Sequence, residues 1–136
     1  MTLDPVLYNS LANFRLALRQ FLAFSEAAAR DAGITPQQYQ ALLVIKTRSS
    51  SGIIVRDLAE QMLMHHHGAV QMVDRLAAAD LVERRRSSLD GRQVLIVITR
   101  KGKRLLEHLA AAHIEELLRQ EPLLAESLRR LRQMND

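Results

Sequence analysis

At 136 residues the chain has room for one domain, or one domain with helical extensions, and enough length for a real core. It has no cysteine, which excludes disulfides, thiolate metal sites and cysteine redox sensing. No run approaches the ~18 consecutive apolar residues of a membrane span. With no basic-then-apolar leader at its N-terminus, the sequence points to the cytoplasm.

Leu7, Leu11, Phe14, Leu18, Phe21 and Ser25 alternate spacings of four and three, predicting a long helix from about Pro5 to Ala32 that stops at Gly33. Leu3, Leu16, Leu22 and Phe24 widen its apolar surface beyond one face, so the helix should pack against its own domain and against a partner. Thr35-Pro36-Gln37-Gln38 reads as a helix start with a capping box. That helix carries Tyr39, Leu42, Leu43 and Ile45 and ends near Arg48, in the Ser49-Ser50-Ser51-Gly52 loop. Ile53-Ile54 is too short for a free strand but can pair as a third strand beside a hairpin.

Two short helical patterns follow, Val55–Met62 and Ala69–Leu76, separated by Leu63-Met64-His65-His66-His67. This is a helix-turn-helix spacing, with the second helix running from about His66 to Ala79. Next come a ribbon, Leu81 to Arg86, a polar tip, Ser87 to Arg92, and an apolar run, Val94 to Ile98. Thr99 caps a further helix whose stripe of Leu105, Leu106, Leu109, Ile114, Leu117 and Leu118 reaches about Gln120. Pro122 should interrupt it, leaving a last helix marked by Leu123, Leu124, Leu128 and Leu131.

Net charge is +4, but it is unevenly placed. Val82–Arg104 holds Arg84, Arg85, Arg86, Arg92, Arg100, Lys101, Lys103 and Arg104 against Glu83 and Asp90 alone. A concentrated basic element on a near-neutral body suits contact with a polyanion. The predicted fold is mainly α with a small β-hairpin wing. An N-terminal dimerisation helix (1–34) and C-terminal dimerisation helices (100–136) flank a winged helix-turn-helix DNA-binding module (35–99). Neither arm can bury itself alone, and pairing across a two-fold axis solves that, so a homodimer is expected.

Leu58-Ala59, Val73-Asp74-Arg75-Leu76, Leu81-Val82-Glu83-Arg84, Asp90-Gly91-Arg92 and Thr99-Arg100-Lys101-Gly102 together resemble the MarR family of bacterial transcriptional regulators. The specific part is the spacing from an acidic-x-Arg wing tip across one strand to Thr-x-x-Gly. The resemblance covers nearly the whole chain. It implies a homodimeric winged helix-turn-helix regulator, usually a repressor, that binds a pseudo-palindromic operator in double-stranded DNA and is often released by a small-molecule effector. There are two departures from the family pattern. Leu63 stands where the turn usually has glycine, and His65-His66-His67-Gly68 replaces a short polar start to the recognition helix.

On that second helix Ala69, Met72, Val73 and Leu76 form the inward stripe. The outward side presents His66, His67, Val70, Gln71 and Asp74. Gln71 is the best direct reader, since its amide can bond both N6 and N7 of adenine. Val70 offers apolar contact, His66 and His67 sit at the helix N-terminus, and Gly68 permits close backbone approach. Arg92 resembles the family's minor-groove arginine. Asp90 would support it, holding its guanidinium or pairing with Arg75. Arg84 and Arg86 share one face of their strand and are further candidates for DNA contact.

Phe14, Phe21 and Tyr39 are candidates to line an effector pocket, although core packing explains most of the aromatics equally well. The histidine run does not converge on one ion, and no cofactor, metal site or enzyme active site is expected. Two alternatives stand beside this reading: a metal-responsive regulator of the same fold, and an architectural protein that binds DNA without sequence preference.

Overall fold

The structure is a computed structural model that describes residues 2–48 and 50–135. Ser49 of the predicted Ser49–Gly52 loop, and the terminal Met1 and Asp136 of the predicted end segments, lie outside the described residues. The elements are α1 (Pro5–Asp31), α2 (Pro36–Thr47), α3 (Val55–Met62), α4 (His66–Ala78), β1 (Val82–Arg86), β2 (Val94–Ile98) and α5 (Arg100–Asn135). The chain is thus mainly α, with one two-stranded antiparallel hairpin. It divides into two compact units, Ala29–Leu109 and the pair of segments Met1–Ala28 and Ala110–Asp136.

In the first unit α2 opens as its sequence dictates. Thr35 Oγ1 accepts the Gln38 N–H at 3.1 Å, and Gln38 Oε1 accepts the Thr35 N–H at 2.9 Å. Two otherwise orphaned donors are satisfied reciprocally, with Pro36 where no donor is needed. The core is built from Leu42 and Ile45 of α2, Leu58 of α3, Val73 and Leu76 of α4, and Ile96 of β2, all fully buried.

β1 and β2 pair from Val82↔Ile98 to Arg86↔Val94. Ile53 adds the expected third rung by exchanging two backbone hydrogen bonds with Ile96, at 3.0 and 2.7 Å. Gly52 makes that approach possible: at φ +80° a Cβ there would lie 2.9 Å from Leu95 Cβ and 3.2 Å from the Ile96 carbonyl oxygen.

α1, α3 and α4 end in one and the same way. One or two residues past the helix the backbone turns left-handed (Gly33 at φ 82°, Leu63 at 54°, Asp80 at 61°), and the next N–H reaches back five residues. Those bonds are Ile34 N to Ala29 O at 2.9 Å, Met64 N to Ala59 O at 2.9 Å and Leu81 N to Leu76 O at 3.0 Å. This is the Schellman closure, which satisfies carbonyls that a helix end leaves open.

In the second unit α1 and α5 meet at His113. Its Nε2 lies 2.8 Å from Ser25 Oγ, and the rings of Phe21 and Phe24 stand edge-on to it at 5.8 and 5.4 Å. The fully covered side chains of this unit are small or polar: Ser10, Ala17, Ser25, His113 and Ser127. Six large apolar ones, Leu11, Leu16, Leu22, Ile114, Leu117 and Leu118, are 45–64% exposed. The apolar surface that the sequence reading assigned partly to a partner is thus exposed within one chain.

The predicted break at Pro122 does not occur. α5 is one helix of 36 residues with the proline inside it. Proline removes its own N–H and forfeits the bond to the carbonyl four residues back, Leu118, a cost of about 3 kcal/mol in a helix interior. Pro122 and Leu118 both lie on the exposed side, where water can solvate the freed carbonyl. Downstream, Glu126 accepts hydrogen bonds from Arg129 and Arg130, and their guanidinium groups hold its carboxyl down at about 2.

Candidate nucleic-acid interface

α3 and α4 are held together by a short apolar contact. Leu58 and Ala59 of α3, and Ala69, Met72, Val73 and Leu76 of α4, are all buried, so the expected inward stripe is present. The turn between them takes the strained option: Leu63 adopts φ 54°, ψ 42° with its side chain 96% exposed. His65 occupies the N-cap of α4 in extended backbone and makes no side-chain capping bond.

With the stripe turned inward, α4 presents His66, His67, Gln71, Asp74 and Arg75 to solvent, with Gly68 and Val70 half-buried. A Cβ on Gly68 would touch only Met64 Cε, at 3.4 Å, so nothing inside the chain demands glycine there. One turn separates His67 and Gln71, and the Gln71 amide nitrogen lies 3.3 Å from His67 Nε2. Periodicity placed both residues on the outer face but gave no sign that they touch.

The arginines of β1 divide as a strand requires. Arg85 turns to Glu83 on its own face, with Nε 2.7 Å from the carboxylate. Arg84 and Arg86 share the other face, and each has a partner. Arg84 forms an ion pair with Asp74, which ties the hairpin to α4. Arg86 donates to the Gly91 carbonyl at 3.0 Å, across the wing tip.

The tip is internally braced. Ser87 Oγ accepts the N–H groups of Leu89 and Asp90, at 3.2 and 3.3 Å. Asp90 Oδ1 accepts the backbone N–H of Arg92 at 3.0 Å. Asp90 therefore holds the backbone of Arg92, where the sequence suggested its guanidinium or Arg75. Among the described residues, neither the Arg92 nor the Arg75 side chain forms an ion pair. Arg92 is exposed.

The Thr-x-x-Gly element has a geometric cause. Thr99 Oγ1 donates to the Asp80 carbonyl at 2.6 Å and accepts the Gly102 N–H at 3.0 Å, joining the end of α4 to the start of α5. A Cβ on Gly102 would lie 2.2 Å from the Leu81 carbonyl oxygen, which leaves no room for any side chain. Lys101 Nζ adds a bond of 3.0 Å to the Ala79 carbonyl.

The three pocket candidates have ordinary structural roles as well. Phe21 packs on His113, and Phe14 is half-buried on α1. Tyr39 is buried in α2, and burial pushes its hydroxyl above the usual tyrosine range. Among the described residues no three His, Asp or Glu gather in a metal-binding group, and no helix is long and apolar enough to cross a membrane.

Residues 32–93 match the model of the MarR family. AbsC, a MarR family transcriptional regulator from Streptomyces coelicolor, superposes with a TM-score of 0.75 at 20% identity, over 98% of this chain and 92% of that one. A point mutant of S. aureus MepR, bound to an oligodeoxyribonucleotide, gives 0.71 at 20% identity, over 94% and 91%. NadR in complex with 4-hydroxyphenylacetate gives 0.70 at 24% identity, over 88% and 84%. At such identities the likeness to these structures is one of fold. No curated protein gives a significant sequence match.

Proposed function

We propose that this protein, whose residues 32–93 match the MarR family model, is a homodimeric, cytoplasmic regulator of transcription, with no enzymatic role, that represses genes by binding a pseudo-palindromic operator in double-stranded DNA. The observation that carries this reading is the exposed outer edge of α4, bearing His66, His67 and Gln71, beside a basic wing tied to it through Asp74 and Arg84. Such an edge fits a major groove, and Gln71 supplies the donor and acceptor that match adenine. Arg92, free at the tip of a braced wing, suits the negative potential of a narrow minor groove. Val70 and Gly68 border the same edge. Arg86 and Arg84 sit close behind it, and their side chains must leave Gly91 and Asp74 to reach phosphate.

Dimerisation is supported by the second unit. Leucines and Ile114, 45–64% exposed along α1 and α5 over a small and polar interior, need a second copy to leave water. In a two-fold dimer the recognition helices would enter successive major grooves about ten base pairs apart. Release by a small molecule is part of the same proposal. Phe14, Phe21 and Tyr39 remain its aromatic candidates. A groove of about 500 Å³ within the winged unit, edged by Lys101, Arg104 and His108, would suit an acidic effector.

The test is a salt-controlled competition on the DNA upstream of the protein's own gene, after footprinting. Gln71→Ala should cost about 1–3 kcal/mol at one base position per half-site, and Arg92→Ala should lower the salt slope by about one unit per lost contact, two per dimer. Equal affinity for footprinted and random DNA would show the architectural alternative to be right. An Arg92→Ala dimer with wild-type affinity and salt dependence would assign the wing a structural role.

A further inference from the structure

Leu89 stands at the tip of the wing and is 98% exposed, more than any other large apolar residue among the described ones. A single exposed leucine is ordinary on a protein surface. This one is set in a loop whose backbone closes around it. Ser87 Oγ accepts the N–H of Leu89 at 3.2 Å and that of Asp90 at 3.3 Å, and Asp90 Oδ1 accepts the N–H of Arg92 at 3.0 Å. The Ser87 N–H donates to the Gln93 carbonyl and the Gln93 N–H to the Asp90 carbonyl, both at 3.0 Å, while Arg86 reaches the Gly91 carbonyl. We propose that Leu89 is a DNA-contacting residue: it packs against the sugar walls of the minor groove beside Arg92, and the two side chains together select A·T pairs under the wing. The inference rests on the reading of this module as one that binds double-stranded DNA.

Charge and connection point to this occupant. Residues 83–92 hold Arg84, Arg85, Arg86 and Arg92 against Glu83 and Asp90, so the leucine is carried on a basic element drawn to a polyanion. The Arg84–Asp74 ion pair ties the same hairpin to α4, within one compact unit. Its hydrogen bonds order the tip before any partner arrives, so the loop has little freedom left to lose on contact. Every other residue from Ser87 to Gln93 is polar or glycine, and the leucine covers no core.

The minor groove is about 6 Å wide. The C–H faces of its deoxyriboses give it apolar walls. An A·T pair leaves two acceptors on the floor, adenine N3 and thymine O2, which suit the Arg92 guanidinium. A G·C pair adds the guanine N2 amino group, a donor that stands up into the groove. Neither Leu89 nor Arg92 carries an acceptor for it, and Asp90 is turned to the backbone of Arg92. The amino group would lose its water without a partner and would hold the leucine off the walls. Burying one leucine returns no more than unstacking a base step costs, so the contact is made along the walls and the duplex is not wedged open.

The test is titration of the full-length protein against its footprinted site at several salt concentrations. The step under the wing is located as the hydroxyl-radical protection that Arg92→Ala loses. Leu89→Ala should weaken binding about tenfold and leave the salt slope unchanged, because an apolar contact releases no counterion. Leu89→Met, which restores apolar length, should recover most of the loss, and Leu89→Gln should not. The wild-type protein should bind about tenfold more weakly when that step carries G·C, and should recover on inosine·C, which lacks only the guanine N2 amino group. In Leu89→Ala the penalty for G·C should be about threefold smaller. The melting temperature and the mass of the dimer by light scattering should not change. Wild-type affinity in Leu89→Ala, or an undiminished G·C penalty, overturns the inference and leaves the function standing. So does a loss of affinity that comes with dissociation of the dimer, which would make Leu89 a contact between copies. If the wild-type protein protects no site, specific DNA binding itself fails and the inference falls with it.

Discussion

At its C-terminal end α4 is held by three partners at once. Asp80 turns left-handed at φ 61°, its carbonyl takes the Thr99 hydroxyl, and Lys101 reaches the Ala79 carbonyl. Gly102 packs where a Cβ would come within 2.2 Å of the Leu81 oxygen. The N-terminal end follows a turn in which Leu63, also left-handed, is almost wholly exposed, and His65 caps nothing. One end of the helix is fixed by tertiary bonds from α5. At the other, the backbone bends as it must and the residue types do not help. Aspartate tolerates left-handed backbone because its short polar side chain bonds locally, whereas leucine has no such compensation.

Stability should therefore respond unequally to changes at the two ends. Gly102→Ala should have the largest effect, lowering unfolding free energy by about 3 kcal/mol, because backbone must move to admit the methyl group. Denaturant titration would show it, and a wild-type midpoint would mean that α5 and the Leu81 carbonyl are not in close contact. Next comes Thr99→Val, which keeps the shape but removes both the bond to Asp80 and the cap on Gly102. A loss of about 1–2 kcal/mol is expected by the same measurement, and a neutral result would leave the cap without energetic weight. At the other end the sign reverses. His65→Ser should stabilise by about 0.5–1 kcal/mol by supplying the missing cap, and hydrogen exchange at Gly68 should slow with it. Leu63→Gly should change least, a gain of a few tenths of a kcal/mol, since relief of the left-handed strain is partly offset by the freedom glycine gives the unfolded chain. Destabilisation by either of these last two would show that the loose end is packed after all.

Much of this was legible in the residues. Thr35-Pro36-Gln37-Gln38 marked a helix start because its capping bonds are local, and the stripe Ala69–Met72–Val73–Leu76 showed the inner face of α4 because helical period is local too. Pro122 misled because its cost depends on whether water can reach the freed carbonyl, a property of the folded surface. The partners of the arginines were hidden for a related reason. Alternation along β1 put Arg84 and Arg86 on one face, but which face meets α4 depends on how the hairpin leans, and only the Asp74 contact settles it. Asp90 was recognised as a support, yet its target is a backbone N–H that no side-chain pattern announces. Nothing in the local pattern around His113 announces that it is buried against α1. Its partner Ser25 lies 88 positions away in sequence.

Asp74 has a consequence for the background against which an operator is found. By holding Arg84 it takes one cation out of the pool that any stretch of DNA, whatever its sequence, can recruit. A regulator in a cell faces on the order of a million or more competing sites, so what it must limit is affinity for the wrong ones. Losing the Asp74 carboxylate would free the guanidinium and tighten binding everywhere. More protein would then sit on irrelevant DNA and less on its target, although the measured affinity had risen.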